Sequence, residues 1–221
     1  MAELGALAAV VFDFDGLVID TEWCEYLTAA EQFRDHGTEL SLELWKSFIG
    51  SLDHPHWSDI LEEQIGRPVD RDVIVPARRA ANADCIGDLA PLPGVLPLVD
   101  SIVAAGIPIA VASSSPTDWV EGHLDTHGLL DRFPVRATGD EVPRTKPDPA
   151  VYLLACERLG VDPAAAVAIE DSVNGVVAAK AAGMAAVAVP GSMTIGMDFS
   201  AADLVVASCA ELSPARLAAL I

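Results

Sequence analysis

The chain has 221 residues, 52% of them hydrophobic, so it can form one substantial hydrophobic core and a smaller accessory domain without needing disulfides or metal ions to hold the fold together. Thirteen basic residues against 33 acidic ones give a formal net charge of -20, which repels DNA, RNA and anionic membrane surfaces. No run of about 18 apolar residues occurs, and MAELGALAAVVF does not resemble a secretory signal, so we expect a cytoplasmic protein with neither a nucleic acid nor a membrane as partner.

The cysteines are widely scattered along the chain. They form no CxxC pair, and no histidines accompany them at the spacing of a metal site. We therefore expect reduced thiols with an ordinary structural role at Cys24, Cys85, Cys156 and Cys209.

The first predicted element is a buried parallel strand, AAVVF, which ends at Asp13. From Thr21 to about Asp88 the chain then shows leucine, tryptophan and alanine at helical spacing and no convincing strand. After the breaker PLPG, helical patterns alternate with the short apolar runs IPIAVA, AAAVAI and AAVAV. This alternation predicts an α/β fold, with a Rossmann-like, doubly wound parallel sheet core formed by residues 1–18 and 92–221, and with 19–91 inserted as a small all-helical cap domain.

The ends of the predicted strands carry polar side chains. Ligands of such a sheet bind outside the carboxyl ends of its strands. The residues at those ends are Asp13, Asp15, Ser113, Ser114, Glu170 and Asp171. Four acids in one crevice need a cation, and an oxygen-only cluster favours Mg²⁺. The sequence therefore predicts a magnesium site at this edge of the sheet.

The same edge has the parts of a site for phosphoryl transfer. Lys146, in RTKPDP, can supply an ammonium group that neutralises a phosphoryl group. Ser113 and the N–H groups after it can donate hydrogen bonds to phosphate oxygens, while Ser115 is expected to cap the next helix. Either Asp13 or Asp15 can be the nucleophile that forms an acyl-phosphate, with the other as general acid and base.

Four segments, FDFDGLVIDTE, AVASSS, TKPDP and AIEDSVNG, resemble in this order the four motifs of the haloacid dehalogenase superfamily. The match spans nearly the whole chain, and the region 19–91 looks like the C1 helical cap of the beta-phosphoglucomutase-like phosphatases in subfamily IA. The resemblance implies that Asp13 is the nucleophile and a magnesium ligand. It also implies that Asp15 is the general acid and base and binds the metal through its backbone carbonyl.

The resemblance implies the remaining roles as well. Ser113 and Lys146 would hold the phosphoryl group, and Asp171 would bind Mg²⁺ directly, with Glu170 close by. The cap would close over the core to exclude water and select the substrate, and since it already covers the site, we expect a monomer. Further candidates for substrate contacts are Gly16, Ser114 and Glu22.

The predicted function is hydrolysis of a small phosphorylated metabolite, a sugar or nucleoside monophosphate, through an aspartyl-phosphate. Asp15 argues against dehalogenation, because the dehalogenases of the superfamily lack this second aspartate. A beta-phosphoglucomutase-like mutase is one alternative, but its cap histidine and arginine would fall at Glu25 and near Asp53, where no cation is present. A regulatory protein that binds phosphate and metal without turnover is the other alternative. The presence of Lys146 and Asp171 argues against it.

The predicted cap contains further candidate residues. Helical periodicity does not determine in which direction their side chains point. His54 and His56, in LDHPHW, lack a third soft ligand nearby, so we do not expect a metal site there. We expect the cap tryptophans to be packing residues. The side chains that could contact a leaving group are Glu22, Tyr26, His54, His56, Arg78 and Arg79.

Overall fold

The structure, a computed structural model, describes residues 7–49 and 54–221, so Asp53 lies outside the described residues. Six strands occur in these ranges: β1 (Ala9–Phe12), β2 (Ile109–Ala112), β3 (Val135–Ala137), β4 (Ala166–Glu170), β5 (Ala185–Ala188) and β6 (Leu204–Val205). They form one parallel sheet in the order β3-β2-β1-β4-β5-β6. The predicted parallel sheet is confirmed.

The chain after β1 is helical. Its helices are α1 (Thr21–Asp35), α2 (Leu42–Lys46), α3 (Trp57–Ile65) and α4 (Arg71–Gly87). They share a hydrophobic cluster separate from the sheet, and its members include Phe33, Trp45, Trp57, Leu61 and Ile74. As the helical spacing predicted, the described part of residues 21–88 contains no strand.

Two connections join this helical region to the sheet, and they run side by side. The backbone N–H of Leu92 donates a hydrogen bond to the carbonyl oxygen of Val18 over 2.9 Å. The chain therefore leaves the sheet and returns to it at almost the same point.

Helices cover both faces of the sheet, as expected of a doubly wound fold. Side chains alternate along β1, so Val10 and Phe12 enter one layer while Ala9 and Val11 enter the other. The first layer also contains residues of α5 (Val95–Ala104), α6 (Thr117–Thr126) and α9 (Pro214–Ala218), and the second contains residues of α7 (Ala150–Leu159) and α8 (Val173–Ala181). In the ranges that the structure describes, no helix is both long enough and apolar enough to cross a bilayer.

The expectation of reduced cysteines is wrong for two of the four. Cys24 in α1 and Cys85 in α4 form a disulfide, with their Cα atoms 5.8 Å apart. The two residues are separated by 61 positions, and only the antiparallel packing of α1 against α4 brings them together. Cys156 and Cys209 are free and buried, as expected.

Candidate active site

Polar side chains lie at the carboxyl ends of neighbouring strands, along one edge of the sheet. Asp13 follows β1, and Ser113 follows β2. Glu170 is the last residue of β4, and Asp171 comes next. Because β2, β1 and β4 are adjacent and parallel, their carboxyl ends lie together, and Lys146 joins them from the loop before α7. The structure thus brings the predicted residues of all four motifs to one place.

Lys146 lies at the centre of the buried polar network. Its Nζ donates hydrogen bonds to Asp13 over 2.5 Å and to Glu170 over 2.6 Å. Tyr152 Oη donates to the same oxygen of Glu170 over 2.6 Å, and Ser172 donates to the other oxygen from its N–H and its hydroxyl. Glu170 is fully buried and does not line the cavity, so its carboxylate holds Lys146 against Asp13.

The acidic cluster carries more negative charge than Lys146 can balance. Burial, followed by the charge of Glu170, raises the pKa of Asp13 to about 8, although Lys146 opposes the shift. Burial and the charges of Asp13 and Glu170 raise the pKa of Asp171 well above its ordinary value. Burial lowers the pKa of Lys146, but the two neighbouring carboxylates outweigh it, and the net shift is upward.

The cluster fits a hard divalent cation. Asp13, Glu170 and Asp171 each offer one oxygen, and the three oxygens lie within 4.8 Å of one another. All three residues are buried, and no histidine or cysteine takes part. Carboxylate oxygens with little competition from nitrogen or sulfur are the donors that Mg²⁺ prefers.

Gly16 meets a steric requirement of this cluster. Its φ is +77°, and a Cβ built on it would lie 2.2 Å from Oδ2 of Asp171. Any larger residue would therefore displace the carboxylate of Asp171 or the backbone of the loop. Gly16 does not line the cavity, so the structure gives the residue this packing role, and direct contact with a substrate stays a prediction.

Asp15 is held by side chains from three parts of the chain. Its Oδ1 accepts hydrogen bonds from the hydroxyl of Thr21 and from the indole N–H of Trp119, both over 2.9 Å. Its Oδ2 accepts from the hydroxyls of Ser113, over 3.2 Å, and Ser115, over 2.7 Å. Four donors fix the orientation of this carboxylate.

The role predicted for Ser115 as a helix cap is wrong. Helix α6 begins at Thr117 with Pro116 at its N-cap position, and the N–H of Thr117 donates to the carboxylate of Asp140 over 3.0 Å. The hydroxyl of Ser115 is used by Asp15 instead. Sequence reasoning also missed Thr21 and Trp119 as partners of Asp15. The only signal was their position in the first turn of a predicted helix that starts near the site.

A cavity of about 360 Å³ lies above these residues. Its floor contains Asp13, Asp15, Ser113, Ser114, Lys146 and Asp171. The hydroxyl oxygen of Ser114 is buried and has no hydrogen-bond partner among the described residues. Its hydrogen-bonding capacity is therefore unused within the described part of the chain.

The helical region forms the opposite wall of the cavity. Glu22 lines this wall, and burial, followed by the charges of Asp15 and Glu25, raises its pKa to about 8. Trp45 and Trp57 also line it, so these tryptophans, predicted to be packing residues, face the cavity as well as the hydrophobic cluster.

Arg78 and Glu25 form an ion pair on the same wall. Arg78 also donates to the backbone oxygen of Glu25 over 2.8 Å, and Asn82 donates to the Glu25 carboxylate over 2.5 Å. From the sequence, no cation was expected at Glu25. In the structure, Glu25 is paired with a cation from α4, 53 residues further along the chain.

His54 and His56 line the cavity without forming a metal site. The ring of His54 stacks on Phe48 with centroids 4.7 Å apart, and the side chain of His56 caps α3. Among the described residues, the acid cluster of Asp13 is the single group with the ligand arrangement of a metal site.

Known proteins resemble this chain over most of its length. Residues 7–183 match the family model described as haloacid dehalogenase-like hydrolase. A Bacillus subtilis (strain 168) protein, YhcW, provisionally named a phosphatase, is 42% identical over 211 residues and 96% of both chains. Hexitol phosphatase B of Escherichia coli (strain K12) is 31% identical over 83% of this chain and 84% of its own. The crystal structure of CbbY from Rhodobacter sphaeroides in complex with phosphate has a TM-score of 0.77 and 30% identity, covering 96% of this chain and 99% of the other.

The fold and the site are those of an enzyme, a phosphatase whose acidic residues and lysine meet at the carboxyl edge of a parallel sheet. The chain belongs to the haloacid dehalogenase-like hydrolase family. The resemblance stated from the four sequence motifs is confirmed.

Proposed function

We propose that the protein is a magnesium-dependent phosphatase that hydrolyses small phosphate monoesters through an aspartyl-phosphate on Asp13. The contact between Lys146 and Asp13 carries this proposal. A buried ammonium group beside a carboxylate nucleophile reduces the repulsion between that nucleophile and an incoming phosphate dianion. The hydroxyls of Ser113 and Ser114, on the same floor, are positioned to bind the phosphate oxygens.

The metal ligands in this proposal are the carboxylates of Asp13 and Asp171 and the backbone carbonyl of Asp15, with Glu170 beside them. The oxygen-only donor set and the excess of negative charge support this assignment. Bound Mg²⁺ would supply Lewis-acid stabilisation of the charge on the phosphoryl group.

The two proposed steps use both aspartates of the first motif. The carboxylate of Asp13 attacks phosphorus, the bond from phosphorus to the ester oxygen breaks, and Asp15 gives its proton to that oxygen. Asp15 then takes a proton from water, whose oxygen attacks phosphorus and releases the carboxylate of Asp13. The products are the free alcohol and inorganic phosphate. For the first step, Asp15 must exchange part of its hydrogen bonding with protein donors for a bond to the ester oxygen.

We assign residues 1–18 and 92–221 to the catalytic core and residues 19–91 to a cap. The separate hydrophobic cluster of the helical region and the paired connections at Val18 and Leu92 support this division. A cap above the cavity would exclude water and contact the leaving group.

The proposed substrate class is a small phosphorylated metabolite. A cavity of about 360 Å³ lies within the range of sites for small molecules. The family members with phosphatase names, one of them a hexitol phosphatase, support a sugar or polyol phosphate over a nucleotide.

The test is phosphate release from p-nitrophenyl phosphate and a panel of sugar and nucleoside monophosphates, with Mg²⁺ or with EDTA. We expect turnover with Mg²⁺, none with EDTA, and a loss of at least about a thousandfold in Asp13→Asn. Asp125→Asn, an exposed aspartate of α6 outside the cavity, is the matched control. Absence of Mg²⁺-dependent release from every ester would refute the proposal.

The same assay separates a phosphatase from the mutase alternative. A mutase returns an isomeric sugar phosphate and releases little inorganic phosphate, whereas a phosphatase releases one phosphate for each ester consumed. Rapid acid quenching followed by peptide mass spectrometry should detect a phosphoryl group on Asp13 in either case.

A further inference from the structure

The cap wall of the cavity carries a positive charge that is already neutralised. The carboxylate of Glu25 accepts a hydrogen bond from Arg78 on one oxygen and from Asn82 on the other. Arg78 uses the same terminal nitrogen to bind the backbone oxygen of Glu25. The side chains of Arg78 and Glu25 are 11% and 26% exposed, so water screens this pair only weakly.

Aromatic rings hold the guanidinium group in place. Its central carbon lies 5.9 Å from the ring centroid of Trp45 and 5.3 Å from that of Trp57. Contacts of this kind stabilise a cation and limit the rotamers that Arg78 can adopt. Arg78 cannot turn toward a ligand without giving up both the rings and Glu25.

One donor of Arg78 takes no part in the pair. The Nε of Arg78 is buried and has no hydrogen-bond partner among the described residues. A buried N–H without a partner is costly, and this one has too little accessible surface to face the cavity directly. What Arg78 and Glu25 present to the cavity is an ion pair with little net charge, so a neutral hydroxyl group is at no disadvantage there against an anionic group.

The other described residues of the wall offer little to a second anionic group. The two histidines that line it are engaged within the helical region, one stacked on Phe48 and one capping α3. Glu22 is a carboxyl group that brings no positive charge. Arg79 also lines the cavity, but it is exposed, so its attraction for an anion is screened by solvent. Trp45 and Trp57 add apolar surface to the same wall, which suits the C–H groups of a sugar or polyol.

We infer that the leaving group of the substrate is an uncharged, hydroxylated molecule, a polyol or a sugar, and that the Glu25–Arg78 pair selects it against leaving groups with a carboxylate or a second phosphate. This inference rests on the proposed phosphatase function and narrows its substrate class. Glu25 is the element that rejects the wrong substrate, because it removes the charge that would attract an anion.

The experiment compares two substrates that differ at one carbon. Sorbitol 6-phosphate ends in a neutral CH₂OH group where 6-phosphogluconate has a carboxylate. We expect kcat/KM to be about tenfold or more higher for sorbitol 6-phosphate, since an unpaired anion in a desolvated site is strongly unfavourable. Fructose 6-phosphate and fructose 1,6-bisphosphate form a second pair. We expect kcat/KM to be higher for fructose 6-phosphate, which lacks the second phosphate.

The variant Glu25→Gln tests the selecting residue. Glutamine keeps an acceptor for Arg78, and the Asn82 amide, whose Oδ1 has no partner among the described residues, can rotate to accept from it. Arg78 then carries an uncompensated charge, so the KM for 6-phosphogluconate should fall and the ratio of the two kcat/KM values should approach one. Glu31→Gln, an exposed position of α1, should leave the ratio unchanged.

The outcomes separate this inference from the proposed function. If no ester, including p-nitrophenyl phosphate, is hydrolysed with Mg²⁺, the proposed function fails and the inference falls with it. If p-nitrophenyl phosphate is hydrolysed but the wild type prefers 6-phosphogluconate or does not discriminate, the inference alone is overturned. That comparison needs no variant, so it decides the matter even if Glu25→Gln does not fold. An unchanged ratio in folded Glu25→Gln also overturns it.

Discussion

The indole N–H of Trp119 donates a hydrogen bond to Oδ1 of Asp15 over 2.9 Å, so α6 holds the same oxygen of the proposed general acid that α1 holds through Thr21. The ring of His123 packs edge-on against Trp119 with centroids 4.4 Å apart, which limits the movement of the indole. Asp15 is thus positioned by a residue that lies one helical turn beyond the second motif, AVASSS, and outside all four motifs.

Replacing Trp119 with phenylalanine should lower the rate without unfolding the protein. The change keeps an aromatic ring but removes one hydrogen bond to Asp15, and we expect kcat for alkyl phosphates to fall about tenfold. p-Nitrophenyl phosphate, whose leaving group needs no proton, should be affected less in its first step.

The control is Trp23→Phe, a tryptophan of α1 that does not line the cavity. Steady-state kinetics with both ester classes are the measurement. The parameter to compare is kcat/KM, which does not include the second step that both classes share. An equal loss of kcat/KM for the two classes would indicate a general structural defect and contradict the positioning role of Trp119.

Lys146→Met should both inactivate and destabilise the protein. Without the ammonium group, Asp13 and Glu170 remain buried beside each other, and we expect the free energy of unfolding in EDTA to fall by about 3–5 kcal/mol near pH 9, where Asp13 is ionised. The deficit should shrink in acid, where the carboxyls are protonated.

Urea unfolding followed by circular dichroism measures this effect. Lys180→Met is the matched control, because Lys180 pairs with Asp203 where both side chains are 36% exposed, and an exposed pair contributes at most about 1 kcal/mol. A loss for Lys146→Met no larger than that of the control would contradict the prediction.

The stability of the metal-free protein should fall as pH rises from about 4 to about 8. Burial raises the pKa of Asp13 from 3.8 to about 8 and that of Glu22 from 4.5 to about 8. A carboxyl whose pKa is higher in the folded chain binds its proton more tightly there, so unfolding releases protons and the stability decreases with pH throughout this window. Each group contributes at most about 1.4 kcal/mol per pH unit.

Thermal unfolding in EDTA at several pH values tests the sign of this slope. Glu22→Gln should flatten it, whereas the exposed control Asp125→Asn should not. Added Mg²⁺ should raise Tm more at high pH than at low pH, since it replaces the protons of the cluster. A metal-free stability that increases over this range would show that these carboxyls ionise normally.

Reduction of the Cys24–Cys85 disulfide should destabilise the protein. The bond closes a loop with a sequence separation of 61, for which chain entropy predicts a stabilisation of about 4 kcal/mol. We expect dithiothreitol to lower Tm of the wild type but to have no effect on Cys24→Ser/Cys85→Ser. If the double serine variant is as stable as the oxidised wild type, the crosslink does not stabilise the fold.

The regular part of the fold was predictable because burial leaves a strong pattern. The fully buried strands β1, β2, β4 and β5 read as apolar runs. The two edge strands do not form apolar runs in the sequence. Strand β3 has three residues with the charged Arg136 at its centre, and β6 has only two residues. Such short and partly exposed strands are defined by their neighbours in the sheet.

The candidate site was predictable to the extent that strand ends define it. Asp13, Ser113 and Asp171 each follow a buried strand, so their meeting follows from the parallel sheet. The contacts of Trp119 with Asp15 and of Arg78 with Glu25 depend on how helices are placed against each other, and helical periodicity contains no such information. The disulfide escaped prediction for the same reason.

The hydrogen bond between Leu92 and Val18 also bears on how this protein can diversify. The two ends of the helical segment are neighbours in space, so residues can be added to it, removed from it or exchanged without altering the distance that the core must span. Changes in the segment that forms the opposite wall of the cavity then need not move the strands that lead to Asp13 and Ser113. A new substrate preference can arise in one part of the chain while the chemistry is inherited intact in the other.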